Sequence, residues 1–187
     1  MDADLDALCI AVYCTADDLL PARPVNARRL VTDAEVVTLC VAQAIMGIPS
    51  DRRFLAVARR QLGHLFPRRP GQAGYHKRRR ALAETIEWLI GVFAAESPGF
   101  HDDLLLIDST PVECARSVET TRRSALADAA DSIFWTCKDI LTLERHGART
   151  LHNLRVRVAQ RLLALAACIA LNHRLGRPSR ALVDYVA

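Results

Sequence analysis

Metal-binding and disulfide patterns are what this sequence most clearly lacks. Its six cysteines, at 9, 14, 40, 114, 137 and 168, contain no C-x-x-C pair. That excludes the common zinc modules and a disulfide framework, and points to reduced thiols in a cytoplasmic protein. The six histidines, at 64, 76, 101, 146, 152 and 173, show no H-x-x-x-H spacing, so they read as surface or capping residues. The longest apolar run, LLALAACIAL at 162–171, is about half of the roughly 20 residues a membrane span needs. The opening MDADLDALCIAVYC carries acid ahead of its apolar stretch, the wrong sign for a signal peptide. There is no glycine-rich phosphate loop, no G-x-S-x-G elbow and no Cys–His nucleophile pattern. No repeat or low-complexity tract interrupts the chain.

Acid is also missing from one stretch in particular. Between Asp51 and Arg80 stand ten cations: Arg52, Arg53, Arg59, Arg60, Arg68, Arg69, Lys77, Arg78, Arg79 and Arg80. The one acid there is Asp51 itself. A net charge of +4 over 187 residues is modest, but this imbalance points to a polyanion, most simply nucleic acid. The alternative is a helical bundle with a solvated basic face.

What is present reads as helix through residue 100. Residues 4–20 are apolar-periodic and are ended by Pro21 and Pro24. Thr32 or Asp33 can cap a second helix, AEVVTLCVAQAIM, closed by Gly47 and Pro49. Ser50 or Asp51 opens a third, with Phe54, Leu55, Ala58, Leu62 and Leu65 on one face and most of the arginines off it. After the turn-rich PRRPGQAGYH, a fourth, longer helix is expected from about Tyr75 to Glu96. Short helices joined by tight turns resemble a helix-turn-helix layout. On that layout the fourth helix offers Tyr75, His76, Lys77, Arg78, Arg79 and Arg80 to DNA, with Arg59, Arg60, Arg68 and Arg69 as further contacts.

Beyond SPGFHDD, the run Leu104 to Ile107 is the one convincing strand, ending on Asp108. A strand-end aspartate is either an Asx-turn residue ahead of Thr110-Pro111 or the first carboxylate of a two-metal site. A final helix carries Leu151, Leu154, Val158, Leu162, Leu165 and Ile169 at three- and four-residue steps, and Gly176 and Pro178 end it. In LERHGART, Gly147 suits a left-handed turn, and Arg145 and Arg149 suit either DNA contact or local ion pairs.

Three stretches resemble insertion-sequence transposases of the nine-eighty-two group, which have the DDE chemistry and an RNase H-like core. DDLLLIDSTPVECARSVETTRRSALA resembles the first catalytic strand of that group. PGQAGYHKRRRAL resembles its basic segment, and SIFWTCKDILTLERHGARTLHNLRVRVAQRLLALAACIALNH its C-terminal helices. The resemblance implies DNA transposition, with Mg²⁺ or Mn²⁺ held by carboxylates and double-stranded DNA bearing terminal inverted repeats as partner. It puts Asp108 at the first catalytic, metal-binding position and Asp131 where the family has glutamate. Only 22 residues separate the two. That is too few for the remaining strands and the second catalytic aspartate, as if a central segment were missing. Asp131 then either retains a catalytic place or caps the helix that starts at Ser132.

The expected fold is therefore mainly α. Residues 1–97 form a helical, helix-turn-helix-like domain, and residues 98–187 a truncated RNase H-like α/β remnant with one strand or short hairpin and C-terminal helices. The expected function is that of a transposase-derived protein whose catalysis is defective. The alternatives are a non-catalytic module that binds element ends and a structural remnant without a role. The apolar face of the last helix would be covered by the N-terminal bundle or by a second copy of the chain.

Overall fold

The computed structural model describes residues 3–21, 31–101, 136–179 and 181–185. Among them it is mainly helical, with no β-strand. The expected strand at 104–107, Asp108 and Asp131 lie outside the described residues.

Helix α1 (Ala3–Leu19) precedes α2 (Asp33–Ile45), whose start is fixed by a reciprocal cap. Glu35 N–H donates to Thr32 Oγ1 at 3.1 Å and Thr32 N–H to Glu35 Oε2 at 2.5 Å, so two otherwise unpaired donors are satisfied. Ten of its residues from Val36 to Ile45 are buried without a break, which makes α2 the central helix. Gly47, at φ +60°, supplies the left-handed turn after it. Ser50 caps α3 (Asp51–Gln61) through its hydroxyl, and Asp51 turns into the protein instead of capping.

The helix expected over 75–96 is two, α4 (Gln72–Ala81) and α5 (Ala83–Ala95), meeting at Leu82. Leu82 steps to φ −95°, ψ 15°, yet the backbone ladder continues across it: Leu82 N–H donates to Arg78 O and Ile86 N–H to Leu82 O. The junction is a kink of one residue. The chain then closes with a π-helical turn (Thr136–Ile140), a 3-10 turn (Leu143–Arg145) and the long α6 (Leu151–Arg174). Thr150 caps α6, and Gly176 at φ +65° follows its end.

Helix α6 packs on α5 and α2 in the same core as α1. It does so with the face opposite to the one its large aliphatics mark. Val156, Ala159, Gln160, Leu163, Ala164, Ala167, Cys168 and Leu171 are buried. At 100° per residue they centre roughly 180° from the stripe of Leu151, Leu154, Val158, Leu162 and Leu165. Leu151 is 83% exposed and Leu162 is exposed as well. The alanines let the helices approach closely, and the polar residues on that face find partners. Counting only large apolar side chains points the helix the wrong way. No helix among the described residues is long and apolar enough to cross a membrane.

Candidate nucleic-acid interface and the ion pairs beneath it

The basic stretch folds as α3, a connecting turn and α4, and burial divides its cations into two sets. Arg52, Arg53, Arg59, Arg60, Arg68, Lys77 and Arg80 are exposed, and none has a carboxylate partner among the described residues. Arg69 is half-buried and donates to Phe66 O. The other members of the expected DNA-reading set turn inward. Tyr75 is fully buried, its ring 5.9 Å from Phe54, and Arg79 is 2% exposed with its guanidinium 5.2 Å from the Tyr75 ring centre. Arg78 donates to Val31 O at 2.6 Å and to Asp33 at 2.5 Å, tying α4 to the start of α2. Tyr75 and Arg79 are core residues and Arg78 is a tether. Their expected place on a DNA-facing surface is corrected by this packing. His76 stays partly exposed beside Asp51, 3.3 Å away.

Arg79 is held inward by Asp51, the one acid of the stretch. Arg79 grips its carboxylate with both terminal nitrogens, at 2.7 and 3.1 Å. Arg157 of α6 adds a bond of 2.7 Å from the far end of the sequence and also donates to Pro49 O. Gln43 of α2 donates to Asp51 Oδ1 and to Ile48 O, both at 3.0 Å. Its own oxygen accepts from the Tyr75 hydroxyl at 2.9 Å and from Arg79, Arg157 and Gln160, each at 3.2 Å. Gln160 further donates to Cys40 O at 2.7 Å. One carboxylate thus joins α2, α3, α4 and α6, which satisfies the rule that buried charge must be paired and hydrogen-bonded. Burial would raise the Asp51 pKa. The Arg79 bonds and charge, with Gln43 and Arg157, outweigh it and hold the carboxyl well below its ordinary range.

The site is over-supplied with positive charge. Arg161 is 2% exposed, and its bonds run to carbonyls, Thr142 O at 3.3 Å and Arg157 O at 2.9 Å. Burial, with Arg157 and Arg79 nearby, pushes its pKa down to about 10. Replacing a lone buried cation by an apolar chain of similar length removes a desolvation penalty and a like-charge repulsion. Arg161→Met is therefore expected to unfold in urea within about 1 kcal/mol of the parent chain, or above it. A loss of about 3 kcal/mol or more would show instead that its carbonyl bonds secure the Thr142 turn.

Sequence reasoning singled out the cations but not this network. Gln43, Arg157, Gln160 and Arg161 are polar letters inside apolar helices, and period counting reads them as outward. The one available signal was Asp51, a solitary acid at a helix start among ten bases. Asp108, the expected catalytic and metal-binding residue, and Asp131, the second catalytic candidate, are outside the described residues. Among the described residues no three His, Cys, Asp or Glu gather as metal ligands do. No family model, curated protein or solved structure matches the chain.

Proposed function

We propose that this chain is a transposase-derived DNA-binding protein whose surface of contact is the exposed basic side of α3 and α4. The observation that carries the reading is the division of charge just described. Seven cations are exposed without carboxylate partners among the described residues, while the stretch's one acid is buried and paired. A protein needs no such field for solubility. A duplex with one negative charge per ~1.7 Å of its axis matches it. The transposase origin rests on the D-S-T-P-V-E-C and L-E-R-H-G-A-R-T runs and their neighbours. Strand cleavage and transfer, with Mg²⁺ or Mn²⁺ at Asp108, belong to that ancestry. A chain with one aspartate at the family's positions and Asp131 in place of glutamate lacks the carboxylates to hold two ions.

The test is binding to labelled duplex carrying candidate terminal repeats across a salt series, with and without Mg²⁺. If all seven cations reach phosphates, log K falls against log salt with a slope of about −6. Binding without nicking is the expected result. Binding that ignores salt, or is absent at low salt, would remove the reading. Mg²⁺-dependent nicking abolished by Asp108→Ala would restore an active enzyme.

A further inference from the structure

We infer that α3, and not α4, is the helix that seats in the major groove of duplex DNA. This rests on the DNA-binding reading above and assigns its geometry. The two helices differ in what they leave exposed. Helix α4 spends Tyr75 and Arg79 on the core and Arg78 on Asp33, so its outward side keeps Lys77 and Arg80 among Ala73, Gly74 and Ala81. Helix α3 is divided more cleanly. Its inward residues are Asp51, Phe54 and Ala58, with Leu62 just past its end. Its exposed residues are Arg52, Arg53, Ala56, Arg59 and Arg60, with Gln61 at the end.

Placed at 100° per residue, the four arginines occupy an arc of about 120° on the side away from the core. They form two rows, Arg52 with Arg59 and Arg53 with Arg60. Each row is about 10 Å long, because seven residues rise 1.5 Å apiece. The rows lie about 100° apart around the axis, and Ala56 stands between them. A helix with its side chains is about 10–12 Å across, close to the ~12 Å width of the B-form major groove, so rows about 100° apart point toward its two walls. The rows are spaced to reach the phosphates on the two sides of one groove, and a methyl side chain at the centre lets the helix approach base edges. A methyl there is also the contact that thymine's own methyl takes.

The buried network serves this arrangement. Asp51 is the first residue of α3, and Arg79 and Arg157 clamp its carboxylate from α4 and α6. Phe54 lies against Tyr75 one turn further on. The helix is held at its start and along its inner face, so the outward arc keeps one orientation. The same contacts leave α3 without acid on its exposed side.

Two symmetrical substitutions separate the helices. Ala56→Glu and Ala73→Glu each add one negative charge to an exposed alanine, on α3 and α4 respectively, and neither residue packs in the core. Affinity is read on a labelled mixed-sequence DNA duplex over a salt series. Circular dichroism confirms that each variant remains helical. Ala56→Glu is expected to weaken binding more than about tenfold, because the glutamate faces bases and its neighbours' phosphates at once. Ala73→Glu is expected to cost less than about threefold. Removing one row by Arg52→Ala with Arg59→Ala should reduce the salt slope by about 2, and Lys77→Ala with Arg80→Ala by less than about 1.

The reverse ranking, α4 variants weakened and α3 variants unaffected, overturns the assignment while leaving DNA binding intact. Equal binding to an A-form RNA duplex also overturns it, since that major groove is too deep and narrow for a helix. An unmutated chain that binds no duplex at low salt fails the underlying reading instead.

Discussion

Asp51→Ala is expected to lower the free energy of unfolding by about 3–5 kcal/mol, because it strips a buried ion-pair network of its one acid. The carboxylate is 8% exposed and is the common partner of Arg79 and Arg157, which are themselves buried. Its removal leaves two guanidiniums in the interior with only Gln43, Gln160 and Pro49 oxygens to share, and with Arg161 close behind. Asp51→Asn separates charge from shape. If the amide variant is as damaged as the alanine one, the charge carries the effect. Urea midpoints at neutral pH measure it, and a loss below about 1 kcal/mol would mean the network does not form in solution.

The same carboxylate gives the stability a pH signature. Its pKa is depressed in the folded chain, against an ordinary value of about 3.9 when unfolded. The unfolded state therefore takes up a proton before the folded state does as the pH falls. The contribution of Asp51 is complete above about pH 5 and is lost progressively below about pH 4. Asp51→Ala should lack that component, so the difference between the two chains narrows on acidification. A constant difference down to pH 2 would contradict the ion pairing.

A chain ending after residue 101 is the second large effect. It is expected to lose cooperative unfolding altogether. Composition and turn signals place a boundary near residue 97, and the helix beyond it packs into the N-terminal bundle. Helix α6 lies on α5 and α2 and supplies Arg157 and Gln160 to the centre of the network. Without it, α2 shows Cys40 and Gln43 to water, and Asp51 keeps one of its two guanidinium partners. Such a fragment should retain helical circular dichroism, bind a hydrophobic dye and show no sharp urea transition. A cooperative transition with a slope appropriate to about 100 residues would show that residues 1–101 fold without α6.

These two cases show where the sequence was legible. Helix ends marked by a capping side chain or a glycine were readable because they depend on local chemistry, whereas the break at Leu82, which has no side-chain cap, was not. Thr32 with Glu35, Ser50, Gly47 and Gly176 each act on backbone groups within a few residues. The phase of α6 was not readable, because it is decided by partners over 100 residues away. Arg157 and Gln160 look outward by letter and turn inward because Asp51 and the Cys40 carbonyl await them. The same reasoning missed Tyr75 and Arg79: a cluster of basic and aromatic residues reads as surface until one buried acid claims part of it. The cations themselves were legible as a set, but not their division into buried clamp and exposed surface.

Asp51 and Arg157 are 106 residues apart in the chain. A ribosome that adds about 5–20 residues per second delivers the arginine roughly 5–20 s after the aspartate. During that interval α3 exists without the second half of its clamp, and its acid faces water or a basic neighbour. The arginine arc consequently takes its final orientation only after α6 has been made. Nascent chains stalled before α6 should then be open to protease at the α3–α4 turn, and closed to it once α6 has emerged.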